Sequence, residues 1–494
     1  MEIGALRERL EAFCRESTEE DYRNRAGLQA ESRLAAVYER HVALADRELL
    51  LEARARRADA AGAEDRAGWA CVAEFLTTHH LEHAVRGALD RLHTLEAGAT
   101  LDLPEEPIPL RSADPRLRNE GDRGRRDAIE RARSRALQTL LPHHAALWDR
   151  MHDLAQELGH PSYAGLCAQA SGVPLADLAP ETETLLRETA DAYEEHLRWY
   201  ARRHLAVPFR ELKRHDLLRL FRAPQWDAAF PAGRMVAACR AGVEKMGVDT
   251  AAEGHIQLDL EARPKKAPRA FVAALEIPDR VILVTRPSGG PDDYRSYLHE
   301  LGHALHYGYT DRRLPSEFRY LGDNAVTETW AFLMDGLLGE RGWLRRFLEM
   351  DHPEDFLRLN AFHKLFLLRR YAAKLQYELA IHGEAAPRDR ADLYANLLGG
   401  ATRAEFPREM HLSDVDLHFY AARYWRAWRF EAQLREFLVE RFDEEWYRND
   451  RTGPFLIDLW RQGQRHRAEE LAAQLGLPDA GLAPLLRSLI QPLA

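Results

Sequence analysis

The 494-residue chain predicts a mainly α-helical fold with one small β-sheet set mid-chain. Three observations predict it. Long stretches before residue 250 and after residue 292 repeat apolar residues at helical spacing among Glu, Arg and Ala. Between them lie three short alternating or β-branched runs, parted by turn residues. Charged residues reach 30%, above the usual quarter, which fits extensive solvated helix surface, while 46% hydrophobic residues supply a large core. Length alone allows about two to four domains. The change of texture divides the chain into a helical lobe, 1–250, and a second lobe, 251–494, holding the sheet and the C-terminal helices.

The elements follow in order. Leu34 to Leu51 reads as an amphipathic helix, and a second runs from about Arg66 to Leu95. Leu101 to Pro109 is a proline-punctuated connection. Arg111 to Arg135 mixes Arg with Asp and Glu, and reads as a solvated loop entering a helix. Helices are expected near 143–158, 180–204, 209–221 and 231–246. His255–Leu260, Phe271–Ile277 and Val281–Thr285 read as strands, with Pro278-Asp279-Arg280 as a hairpin-like turn. Ser288-Gly289-Gly290-Pro291 breaks the chain, and helices resume from 292.

Composition narrows the function. The balance of 69 − 79 = −10 argues against a general nucleic-acid binder. No apolar run approaches about 18 residues, so no membrane span is expected. The N-terminal segment lacks the apolar core of a signal peptide. The four scattered cysteines form no CxxC pair, which predicts neither a disulfide framework nor a cysteine metal site. A cytoplasmic protein is expected.

The chemistry lies in Asp292 to Gly308. Asp292 or Asp293 is the expected N-cap and Gly308 the expected stop. Within it, His299-Glu300-Leu301-Gly302-His303 is an HExxH pattern. Four residues are about 400° of helix rotation, so both imidazoles leave one face one turn apart. That spacing lets two His nitrogens meet one zinc ion, with Glu300 beside them to take a proton from a bound water. A metzincin fits poorly, because position 306 is His rather than Gly and no His stands six residues beyond His303. Glu328 follows His303 by 25 residues and opens the next helix, with Asp323 or Asn324 as its cap. This is the gluzincin arrangement, which makes Glu328 the third ligand. Asp335, two turns on and on the same face, is expected to accept the free ring N–H of a ligand His. Elsewhere, His79 and His83 also stand at i, i+4, but without an identifiable third ligand they read as surface residues of a helix.

These residues resemble those of peptidase family M3, the thimet oligopeptidase/oligopeptidase F group of zinc peptidases. His299 to His306 is similar to that family's extended motif, and the steps to Glu328 and Asp335 fit it. Leu258–Lys266, Phe419–Trp425, Gly453–Leu456 and Ala468–Ala472 resemble further family segments, so the likeness spans roughly 255–494. It implies a two-lobed gluzincin (zincin-like) fold with a deep central channel, one Zn2+ ion, short peptide substrates, and no nucleic-acid or membrane partner. It makes 251–494 the catalytic lobe and Glu300 the general base. It also implies that Tyr420 and Tyr424, one helical turn apart, supply hydroxyls to the oxyanion. Read from the residues alone, the two tyrosines fit an aromatic core stripe with Trp425, Trp428 and Phe430 better than a catalytic pair. Two departures bear on that role: Val415 stands where the family has a His, and Ala427 near where it has a third Tyr. The carboxypeptidase family M32, the angiotensin-converting-enzyme-like family and a catalytically silent peptide-binding relative remain alternatives here.

Overall fold

The computed structural model describes residues 3–104, 106–385, 388–477 and 481–493. Helices carry most of it. Those used below are α1 (Ile3–Arg25), α2 (Ala63–Gly98), α3 (Arg123–Glu157), α4 (Pro291–Tyr309), α5 (Asn324–Asp335) and α6 (Tyr420–Phe442). Three strands, β1 (Ile256–Asp259), β2 (Phe271–Glu276) and β3 (Arg280–Val284), form the main sheet. By packing, the chain forms two compact units. The first comprises Met1–His83, Gln225–Leu357 and Arg426–Leu485, and the second Ala84–Pro224, Arg358–Trp425 and Leu486–Ala494. The division at residue 250 is a different partition, since it follows sequence texture rather than contacts.

In the first unit the sheet has the order β1-β3-β2. β3 lies in the centre, parallel to β1 and antiparallel to β2. The hairpin pairs Phe271 with Val284 and Ala273 with Ile282, so these four side chains share one face. That face packs with Tyr22 of α1 and with Ala26. Val272 and Ala274 point the other way and β2 is an edge strand.

Helix α4 lies against the sheet. Its start differs from the expected one. Gly290, at φ 87°, is the N-cap and Pro291 opens the helix. Asp293 instead accepts from the Ser288 and Gly289 amides at 2.7 and 2.8 Å and fixes the incoming loop. Gly308 is not a stop either, because the helix runs through Tyr309. A Cβ there would come within 2.8 Å of Ile256, so Gly308 is where the helix touches β1.

The described residues of the second unit are mainly helical, with a short ladder of Thr100–Leu101 with Ile108–Pro109 and a single parallel bridge between Lys213 and Glu405. Its Arg-rich stretch is not simply solvated. Arg126 is 2% exposed and donates to Asp216 at 2.8 Å. Arg214 bridges Glu130 and Asp114. A further cluster joins Arg370, Tyr394 and Lys374 to Asp414 and Asp416. Burial opposes the charge of Asp216, but hydrogen bonds from His215 and Arg126 overcome it and hold the carboxyl below its usual range.

Candidate metal centre

Two helices of the first unit build the centre, and Gly302 sets their distance. A Cβ at Gly302 would lie 2.5 Å from the Trp330 carbonyl oxygen and 2.6 Å from Ala331 Cα. Only glycine lets α4 and α5 approach so closely there. The start of α5 is fixed by Asp323, which accepts from the Ala325 amide at 3.1 Å. Asp323 is held in turn by Arg426, whose guanidinium donates to both its oxygens at 2.9 and 2.6 Å and also to Glu469 at 2.8 Å. The C-terminal part of the chain thus braces the helix that carries Glu328.

The close approach brings three donor atoms together. His299 Nε2 lies 3.3 Å and His303 Nε2 3.6 Å from Glu328 Oε2. The imidazole planes stand at 85° with centroids 5.0 Å apart. Behind the rings, His299 Nδ1 meets Asp335 Oδ2 at 3.0 Å and His303 Nδ1 meets Thr327 Oγ1 at 2.8 Å. In the tautomers that leave Nε2 open, both Nδ1–H groups donate backwards, which fixes the ring orientations. These three residues form a group that can hold a metal ion. Around a tetrahedral zinc with bonds of about 2.0–2.1 Å, neighbouring donors sit about 3.3–3.5 Å apart, close to the separations found.

Electrostatics agree with the donor set. Burial works against a charge on His299, but hydrogen bonds to Asp335 and Glu328 outweigh it and raise its pKa well above the ordinary value. His303, whose Nδ1 faces a neutral hydroxyl, is pulled down to about 4 by burial. Without metal, then, a proton on His299 balances Glu328. A divalent cation against the same three atoms serves as that counter-charge.

Glu300 sits beside the centre. Burial raises its carboxyl to about 7; the His299 charge opposes the shift and the Glu328 charge adds to it. The Val272 amide, on the edge strand β2, hydrogen-bonds to this carboxylate. His306, the last His of the motif, is fully buried and meets the Gly463 carbonyl at 3.2 Å. It ties α4 to the C-terminal segment and stands outside the ligand group.

The structure therefore brings His299, Glu300, His303, Glu328 and Asp335 into one place in the first unit. Tyr420 and Tyr424 fall in the second unit, on successive turns of α6, with ring centroids 5.0 Å apart. Tyr371 meets Tyr424 edge-on at 5.3 Å. Sequence reasoning missed Thr327 and Tyr307. Tyr307 follows His303 by one turn, stacks on its ring at 6.5 Å, and its hydroxyl hydrogen-bonds with Thr327. The i, i+4 step from His303 was the available signal for Tyr307; for Thr327 it was adjacency to Glu328.

Two solved structures share this fold. PZ peptidase A, solved with an inhibitor, superposes with a TM-score of 0.70 at 16% identity, covering 90% of this chain and 83% of its own. A protein of Bacillus anthracis strain Ames, assigned as an oligoendopeptidase F, gives 0.64 at 16% identity, covering 96% and 84%. No family model matches the chain, and no curated protein matches it. At that identity the likeness establishes the fold: mainly helical with small sheets, as in these two structures. Among the described residues no helix is long and apolar enough to cross a membrane.

Proposed function

We propose that this chain is a zinc metallopeptidase that hydrolyses short oligopeptides, an oligopeptidase of the M3 type. The observation that carries the reading is the convergence of His299 Nε2, His303 Nε2 and Glu328 Oε2 beside Glu300. The two similar structures, PZ peptidase A and the protein assigned as an oligoendopeptidase F, support it. His299, His303 and Glu328 would hold the ion, and Asp335 and Thr327 orient the two rings. Once bound, zinc would supply Lewis acidity, lowering the pKa of a water toward about 7 and polarising a carbonyl.

The chain's own residues do the rest. Glu300 takes the attacking water's proton and passes it to the leaving amine. Glu300 lies next to His299 in the chain and is held by the Val272 amide, so one carboxylate beside the ligands can serve both transfers. The outer edge of β2 beyond the Val272 amide pairs with an extended peptide backbone and so binds it with little regard to sequence. Tyr420 and Tyr424 donate hydroxyls to the oxyanion. We place the protein in the reducing cytoplasm, since Cys14, Cys71, Cys167 and Cys239 are all outside disulfides.

The test is incubation of zinc-loaded protein with a mixture of short peptides and identification of products by mass spectrometry. The Glu300→Gln protein runs alongside. Cleavage by the parent alone is expected. No cleavage by the zinc-loaded parent at any pH from acid to alkaline would overturn the reading.

A further inference from the structure

A cavity of about 420 Å³ lies in the first unit beside the metal centre. Two of its walls lead from the chemistry described above. Tyr307 lines it and stacks on His303. Val272 lines it and bonds Glu300, and Ala274 follows at the same strand orientation. From Glu300 to Tyr307 is seven residues of one helix, about 10 Å at 1.5 Å per residue. An extended peptide covers that distance in about three residues.

The walls have a definite chemistry. Phe13, Tyr38, Phe75, His79 and Tyr307 present aromatic rings. His79, expected as a surface residue, is only 3% exposed: it stacks on Tyr38 at 4.9 Å and 7°, lies near-parallel to Phe75 at 5.4 Å, and takes the edge of Phe13 at 4.5 Å. Burial pulls its pKa down to about 4, so the ring is neutral at pH 7. Among the described lining residues, Glu82 is the one with a formal charge, and none is Lys or Arg. Tyr38 donates its hydroxyl to Glu82 Oε2 at 2.7 Å, which fixes the carboxylate within this aromatic wall. Aromatic faces and one carboxylate attract a cation and repel an anion.

We infer that this cavity is a specificity pocket that receives a Lys or Arg side chain of the peptide, about three residues from the bond that is cut, with Glu82 as its counter-charge. This deepens the peptidase reading and rests on it. Cation–π attraction plus a part-buried carboxylate is worth about a tenfold preference over an uncharged side chain of equal length.

Binding tests it apart from hydrolysis. Fluorescence anisotropy would follow zinc-loaded Glu300→Gln protein with labelled peptides that carry Lys, norleucine or Glu at one position, scanned along the peptide. About tenfold tighter binding of the Lys peptide than the norleucine peptide is expected at one position, with the Glu peptide weakest. Adding Glu82→Gln should erase the preference, whereas Tyr38→Phe, which removes the hydrogen bond but no charge, should keep it. Equal affinities, a preference that survives Glu82→Gln, or no peptide bound at all would overturn the pocket. The parent protein with the same peptides separates the two readings. Cleavage without a Lys preference sinks the pocket alone, and Lys-selective binding without cleavage sinks hydrolysis alone.

Discussion

Two kinds of buried ionic cluster, one taken from each unit, invite comparison. In the second unit, Asp216 is met by Arg126, Arg214 by Glu130 and Asp114, and Asp414 by Arg370. The guanidinium groups in these pairs stay charged and match carboxylates with a planar fork, even where His215 also meets Asp216 and Lys374 also reaches Asp414. In the first unit, Glu328 faces the Nε2 atoms of His299 and His303. Imidazole can give its proton up and become a neutral ligand. The first kind of cluster carries its own permanent counter-charge and locks helices together. The second has an exchangeable one, which a metal cation can take over. The difference is one of side-chain chemistry, because both clusters are buried and rich in carboxylates.

The contrast can be broken by experiment. The largest effect is expected from Glu300→Gln, which should lower kcat for peptide cleavage by about 10²–10⁴ while zinc content, measured by elemental analysis, stays at the parental level. Unchanged kcat would remove Glu300 from the chemistry. Next is Asp216→Asn, which leaves Arg126 buried without its anion. It should cost about 3–5 kcal/mol in denaturant unfolding and leave zinc affinity untouched. A loss of zinc in this variant would show that the two clusters are not independent.

Asp335→Asn should do the reverse. It removes the carboxylate behind His299 and should weaken zinc binding about 10–100-fold in competition with a chelator. A purely structural Asp335 would shift the melting temperature and leave zinc affinity alone.

The smallest effect concerns pH. His79 has its folded pKa lowered to about 4 by burial, against about 6.5 when unfolded. The unfolded chain therefore takes up the proton first, and stability falls as pH drops from about 6.5 toward 4. At pH 5 this amounts to about 2 kcal/mol. His79→Phe keeps the stacking and should flatten that part of the stability curve. Asp216 behaves differently: its depressed pKa gives stability that is present above about pH 4 and lost only as pH falls through the folded value. A parental curve flat between pH 6.5 and 5 would contradict the His79 assignment.

Local periodicity made much of this legible. The HExxH spacing places His299 and His303 on one face of any α-helix, whatever surrounds it. The strands at 256–259 and 271–276 fall within the expected runs, and the third, 280–284, starts one residue before its expected run, at Arg280 of the expected turn. Local signals failed where a partner from elsewhere decided. The stretch 34–51 read as one helix, yet it is Leu34–Arg40 and Arg47–Asp59 with a short 3₁₀ turn between. Arg126 and His79 read as solvated because their burial depends on His215, Asp216, Tyr38 and Phe13, which come from other segments.

By itself, then, the sequence determined the helical class, the mid-chain strands, the shared face of His299 and His303, and the acids at 328 and 335. These follow from geometry that repeats every turn or every second residue. The tertiary structure alone decided that β3 lies between β1 and β2, that Gly302 lets α5 close on α4, that Arg426 grips the cap of α5, and that aromatic residues from separate segments line a pocket with Glu82. Each of these joins residues far apart in the chain, and no local period encodes which distant surfaces will pack.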